Sequence, residues 1–205
     1  MEEIRFSERR DLAPLYQADY ERDSCGVGLV VSIRGEATRD IVERALGGLV
    51  NLTHRGGVGA DERTGDGAGL LTQIPHTLFA SELVRLGAGE LGAGDYGVAM
   101  CFLPRNAAQA GWARTLASEA FAGRGLNVIG WRDVPVDSSV LGYIAGQTQP
   151  GIAQLLVRKP EGEDGETFER SLLLGRKAAE RAVETSGIND FFVVSCSART
   201  IIYKG

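Results

Sequence analysis

Phe191-Phe192-Val193-Val194-Ser195-Cys196-Ser197-Ala198-Arg199-Thr200-Ile201-Ile202-Tyr203 contains two apolar runs, 191–197 and 200–203, parted by two residues. Aromatic and β-branched side chains suit a half-buried pleated surface, so both runs read as strands. The two runs are close enough in sequence to form a hairpin. Antiparallel pairing is therefore expected here. Further back, a strand at 70–74, ended by Pro75, and a strand at 96–103, closed by Pro104, are read as a second pair and are also taken as antiparallel.

Further strands are expected at 126–131 and 152–158, and a buried one at 25–31, where Val27, Leu29, Val30 and Val31 follow Cys25. Three helices are expected between them. Ile41, Val42, Ala45, Leu46, Leu49 and Val50 form one stripe after Thr38, a plausible N-cap. Trp112, Leu116 and Ala120 mark a helix at 106–122, and a third runs from 166 to 185 after the polar turn 159–165. Helices packed on a mostly antiparallel sheet make an α+β fold. No internal repeat or long linker divides the chain.

Composition excludes several classes. With 205 residues, 43% apolar and 24% charged, the chain can bury a core and is neither disordered nor membrane-spanning by composition. A net charge of −5 argues against a nucleic-acid-binding surface. Cys25, Cys101 and Cys196 are odd in number and match no zinc-site spacing, so a reducing cytoplasm is expected, with no metal-ligating and no cofactor-binding residue assigned in this chain. Residues 1–24 carry seven acids and four arginines without an apolar core, unlike a secretory signal.

Thr64-Gly65-Asp66-Gly67-Ala68-Gly69 precedes a strand instead of opening a helix and lacks Gly-Lys-Ser/Thr. A φ-positive turn shaping a pocket is therefore preferred to a phosphate loop. His54 and His76 are the only histidines, and surface or capping roles are expected of them. Cys101 and Cys196 lie inside apolar strands, where a thiol behaves as a small hydrophobe. Cys25 differs in opening its strand after Asp23-Ser24.

Several segments, taken in order, resemble one family. Leu15-Tyr16 and Glu21-Arg22-Asp23-Ser24 before Cys25-Gly26-Val27-Gly28 are similar to the processing junction of glutamate synthase large subunits. His54-Arg55-Gly56-Gly57-Val58-Gly59-Ala60-Asp61, the 64–69 cluster, Gln73-Ile74-Pro75-His76 and the segment from Ser197 to Gly205 follow in that family's order. Each is weak alone; the ordered set is specific and spans nearly the whole chain.

The resemblance implies an N-terminal-nucleophile (Ntn) hydrolase-like αββα sandwich with mostly antiparallel sheets, incomplete at its C-terminus. It also implies a propeptide at 1–24 and the N-terminal portion of a type-2 glutamine amidotransferase domain at 25–205. The implied activity is glutaminase, with Cys25 as nucleophile and, through its freed α-amine, as base. Arg55 corresponds to the family's active-site arginine; a structural arginine ordering the glycine turn is the alternative.

The family's Asn-Gly oxyanion pair and the residues that grip the substrate's head group are expected downstream of Gly205. The chain is thus expected to be part of a longer protein and weakly active alone. The implied partners are L-glutamine, the rest of the large subunit and the small subunit as a candidate, with no nucleic acid or membrane. FMN and an iron–sulfur cluster are expected in the rest of the parent enzyme. An inactive relic and an unrelated binding domain remain the competing readings.

Overall fold

The computed structural model describes residues 26–204, apart from the side chain of Arg55. Two compact units divide the chain, the first ending at Gly57 and the second comprising Val58–Gly205.

The first unit contains helix α1 (Arg39–Asn51), with Thr38 at the expected N-cap position in an extended conformation but making no side-chain capping bond. Exposed pairs Arg39–Glu43 at 2.8 Å and Asp40–Arg44 at 2.7 Å lie one turn apart and, screened by solvent, add little to stability. The apolar stripe is only partly covered: Ile41, Ala45 and Leu49 are half-buried, whereas Val42, Leu46 and Val50 are exposed. The run Gly26–Val31, expected as a buried strand, forms no strand. Val27 and Leu29 are 90% and 87% exposed. Valine content favours a strand only where a ladder partner exists, and no described strand pairs with this run.

The second unit is a mixed α+β arrangement of two antiparallel sheets. Its strands are β1 (Gly69–Gln73), β2 (Tyr96–Leu103), β3 (Asn127–Asp133), β4 (Gly151–Arg158), β5 (Phe192–Ser197) and β6 (Thr200–Lys204). Between them lie α2 (His76–Arg85), α3 (Ala107–Ala122), the short α4 (Tyr143–Thr148) and α5 (Gly165–Thr185). Four strands pair in the order β3-β4-β2-β5, and β1 pairs with β6.

The central sheet is buried on both faces, which is why β2 and β4 read as continuous apolar runs. On one face, Ala99, Cys101, Leu155 and Val157 pack against Phe121 of α3 and Phe168, Leu172 and Ala179 of α5. On the other, Val98, Met100 and Leu156 meet Phe79 and Leu83 of α2 and Ile201 of β6. Within this unit the layers therefore run helices, four-stranded sheet, then the two-stranded sheet with α2. That order accords with the expected sandwich. Side-chain caps define the two long helices: Asn106 accepts from Gln109 N, and Asp164 from Glu166 N and Thr167 N.

Two expectations of pairing are corrected. The runs at 191–197 and 200–203 form no hairpin, because β5 joins β2 while β6 joins β1, with Thr200 opposite Gln73. Ser197 Oγ accepts from Arg199 N at 2.9 Å and Thr200 N at 3.2 Å, which turns the chain out of the central sheet. Glu169 on α5 holds the corner by accepting from Ser197 Oγ at 3.0 Å and Ala198 N at 2.8 Å. Likewise β1 pairs with β6 and not with β2. Antiparallel geometry holds; the partners differ. The sequence reading also assigns nothing between Pro75 and Tyr96, where α2 forms and buries Phe79 and Leu83.

Candidate active site

Cys25 lies outside the described residues, so the geometry begins at its neighbour. Gly26 rests against Leu52, the residue that ends α1; a Cβ at Gly26 would come within 2.8 Å of Leu52 Cδ2. Only glycine permits that approach without displacing the leucine. Directly after Leu52 comes the 3₁₀ turn Thr53–Arg55, with Arg55 as its last residue. Thr53 Oγ1 donates to Val50 O at 2.7 Å, and His54 Nδ1 lies 2.8 Å from Asn51 O, so both side chains close the end of α1. His54 thus has the expected capping role. Within the first unit, the residue after Cys25 and the residue three before Arg55 are in contact.

The other two cysteines are poor nucleophiles. Cys101 is 1% exposed on β2, and burial pushes its thiol far above the ordinary range. Cys196 is half-buried on β5, with Sγ 3.7 Å from Leu172 O, and burial pushes its thiol up to about 12. Only the thiolate is a nucleophile, and at pH 9 a thiol with that pKa is about one-thousandth ionised. Alkylating reagents at pH 7–9 are therefore expected to spare Cys101 and Cys196 in the native protein and to label both after denaturation, as read by peptide mapping.

In the second unit, the glycine-rich stretch 58–69 is tight, but not for the expected reason. Its φ-positive residue is Glu62, at 56°, and none of its glycines is left-handed. The Asp61 carboxylate organises the turn, accepting from Thr64 N at 2.7 Å, Thr64 Oγ1 at 2.6 Å and Arg63 N at 3.2 Å. It also accepts from Ile144 N at 3.0 Å, and Thr64 Oγ1 accepts from Ala145 N at 3.1 Å. These hydrogen bonds, chiefly the one from the Thr64 hydroxyl, hold the Asp61 carboxyl well below the usual carboxylate range. The sequence reading did not single out Asp61 and Thr64. An Asp three residues before a Thr is a local turn signal, but nothing in it points to residues 144 and 145.

Two of the segments that carried the family resemblance, 73–76 and 197–205, meet where Ile74 N donates to Arg199 O at 3.0 Å. A cleft of about 600 Å³ opens there, lined by Gln73, His76, Tyr96, Arg199 and Thr200 among others. His76 is not a surface residue: it is half-buried, with Nδ1 3.1 Å from the hydroxyl of Tyr96. Tyr96 is 1% exposed, and burial raises its phenol to about 12, so it remains a protonated partner that fixes the imidazole ring. Arg199 pairs with Glu166 at 2.8 Å in an exposed bridge of small energetic weight.

Among the described residues, no cluster of His, Cys, Asp or Glu is placed to hold a metal ion, and no helix is long and apolar enough to cross a membrane.

Comparison with known proteins supplies the family. Residues 25–205 match the glutamine amidotransferases class-II. The chain is 39% identical over 186 residues to a chloroplastic ferredoxin-dependent glutamate synthase of Oryza sativa subsp. japonica, covering 90% of this chain and 12% of that protein. It is 42% identical over 190 residues to ferredoxin-dependent glutamate synthase 2 of Synechocystis sp., again covering 90% and 12%. The large chain of an NADPH glutamate synthase of Bacillus subtilis is 38% identical over 192 residues, covering 93% and 12%. The chain thus spans about one-eighth of the length of these relatives. From Cys25 onward it belongs to the class II glutamine amidotransferases.

Proposed function

We infer that the protein hydrolyses the side-chain amide of L-glutamine through Cys25, after residues 1–24 are removed, and that the ammonia serves glutamate synthesis. The observation that carries this reading is the family match, which opens on Cys25 itself and leaves residues 1–24 outside. The contact of Gly26 with Leu52 supports it, since a nucleophile beside Gly26 and an arginine three residues after Leu52 are then joined through one packed pair.

Removal of 1–24 gives Cys25 a free α-amine, whose pKa near ~7.7–8.0 lets it take the thiol proton at neutral pH. The thiolate attacks the amide carbon of the substrate side chain, and the tetrahedral intermediate collapses, breaking the C–N bond. The amine returns its proton to the departing nitrogen, so ammonia leaves and a glutamyl thioester remains. Water, deprotonated by the same amine, then cleaves the thioester to glutamate and free thiol. Arg55 contributes a fixed positive charge that favours the thiolate.

The partners on this reading are L-glutamine, the rest of a glutamate synthase large subunit and its small subunit. The FMN and iron–sulfur cluster of such an enzyme belong to its other regions. Cys101, sealed in the core, is not presented as a ligand for such a cluster.

Intact-mass measurement of the full-length protein, purified in active form, tests the reading. The mature chain is expected to begin at Cys25 and to release ammonia from glutamine. An active protein that retains Met1 to Ser24 would refute the α-amine mechanism.

A further inference from the structure

Among the described residues, Gln154 of β4 and Ser195 of β5 are the two buried polar side chains, at 0% and 8% exposure. They stand in one row. Each lies opposite Met100 of β2, on either side of it, and Arg132 of β3 lies opposite Gln154, so Arg132, Gln154, Met100 and Ser195 cross all four strands of the central sheet at one level. Above and below that level the same face is apolar, with Leu156 and Ile152 two residues either side of Gln154. A buried amide or hydroxyl is costly unless it is bonded, so three polar residues at one level of an apolar face need a reason.

Each of the three reaches the second layer of the domain. Arg132 donates to Gln154 Oε1 at 3.0 Å, and its Nε lies 3.7 Å from Glu82 Oε1 on α2. Burial raises the phenol of Tyr203 on β6, against the opposing pull of the Arg132 charge and a hydrogen bond with Gln154. Ile202 N, also on β6, donates to Ser195 Oγ at 3.1 Å. No member is left over, since among the described residues no buried side-chain nitrogen or oxygen lacks a partner.

Apolar burial is not directional. A slip of β6 by two residues keeps the same face inward and gives up little apolar contact. Hydrogen bonds are directional, and in a slipped placement the Gln154 amide and the Arg132 guanidinium would remain buried with their partners gone.

We propose that this row is a register lock: the contacts of Arg132, Gln154 and Ser195 with Glu82, Tyr203 and Ile202 admit one placement of α2 and β6 on the central sheet and reject slipped placements that apolar packing alone would accept. The lock acts by penalty more than by attraction, because exchanging a buried polar set for apolar residues of similar volume is often neutral or stabilising, whereas stranding one member is not. Thr200 at the start of β6 and Gln73 at the end of β1 both line the cleft, so the placement that the lock selects is also the one that shapes the cleft. Every member lies in the second unit, and the lock is independent of the assignment of Cys25 and Arg55.

The test uses the full-length protein and the double variant Arg132→Met with Gln154→Met. The substitutions remove the polar groups with modest change of shape and strand no charge, because Glu82 keeps Arg85 at 2.7 Å. Fluorotyrosine at Tyr203 reports on the second layer, and fluorotryptophan at Trp131, which packs on the opposite face of the sheet, serves as control. Wild type is expected to give one fluorine resonance at each position. The double variant is expected to give two or more at Tyr203 and one at Trp131, with a thermal midpoint within about 3 °C of wild type or above it.

A single Tyr203 resonance in the double variant overturns the lock, whether the midpoint holds, which would make the row dispensable, or falls steeply, which would make it a source of stability without selection. Several resonances at both positions also overturn it, because the row would then hold the whole core and not one layer. Should the double variant not accumulate as folded protein, Gln154→Met alone is read by the same criteria.

Discussion

Replacing Cys25 by alanine in the full-length protein is expected to lower glutamine hydrolysis by about four to six orders of magnitude, the scale seen when a covalent nucleophile is removed. On the proposed mechanism one residue supplies both the attacking sulfur and, after processing, the amine that accepts its proton. The substitution deletes the first and leaves the second with no partner. Neither remaining thiol can compensate: Cys101 is sealed beneath α3 and α5, and Cys196 is held near un-ionised by burial. The measurement is ammonia or glutamate release by matched preparations of wild type and variant, with correct folding checked by thermal midpoint. Turnover by the alanine variant within tenfold of wild type would exclude Cys25 as the nucleophile.

The largest effect expected on stability is at the contact of α3 with α5. Phe121 is 1% exposed and lies over Gly175, where an added Cβ would be 2.7 Å from Phe121 Cδ1 and 3.0 Å from Leu126 Cδ1. Glycine inside a helix costs about 1 kcal/mol relative to alanine, so its presence in the middle of α5 is explained by this close approach. Phe121→Ala is expected to destabilise by about 3–5 kcal/mol, the range for emptying a buried aromatic site. Gly175→Ala is expected to destabilise by about 1–3 kcal/mol despite its better helix propensity, because the ring has no direction in which to yield. In the Phe121→Ala background the nearer obstacle is gone and the Leu126 side chain can turn into the vacated space, so the same glycine substitution should cost less than in wild type or stabilise by up to about 1 kcal/mol. Denaturant midpoints of the four proteins provide the check; additive effects in this cycle would show that the two residues do not meet.

What could be read from the sequence followed how local each determinant is. Strands β2 and β4 were read to within a residue because burial on both faces leaves an unbroken apolar run, α3 because Trp112, Leu116 and Ala120 recur at helical spacing, and α5 as the long run after the polar turn 159–165. The antiparallel character was legible, but the pairing was not. Residues 198 and 199 look like a hairpin loop until Glu169, far off on α5, bends the chain there into a second sheet. Helix α2 was missed because its two buried residues, Phe79 and Leu83, are too few to show a period beside a proline.

The same holds for the site. Cys25 and Arg55 are single residues of common types, and only the ordered set of motifs around them singles them out. The Asp61–Thr64 tie depends on amides at 144 and 145, which no local pattern foretells.

The pairing of β1 with β6, from Gly69 opposite Lys204 to Gln73 opposite Thr200, has a consequence for the order in which the domain is made. During synthesis β2, α3, β3 and β4 emerge in succession and can begin to associate, while β1, translated before them, waits for the last strand of the unit. Closing so long a loop is slow and carries a high contact order. Until it closes, β1 leaves Leu70, partly buried in the finished sheet, and an unsatisfied backbone edge uncovered, the kind of surface that chaperones and neighbouring nascent chains recognise. Formation of the two-stranded sheet is thus the late, length-dependent step of folding, and the interval before residues 200–204 leave the ribosome is when this chain is most prone to aggregate.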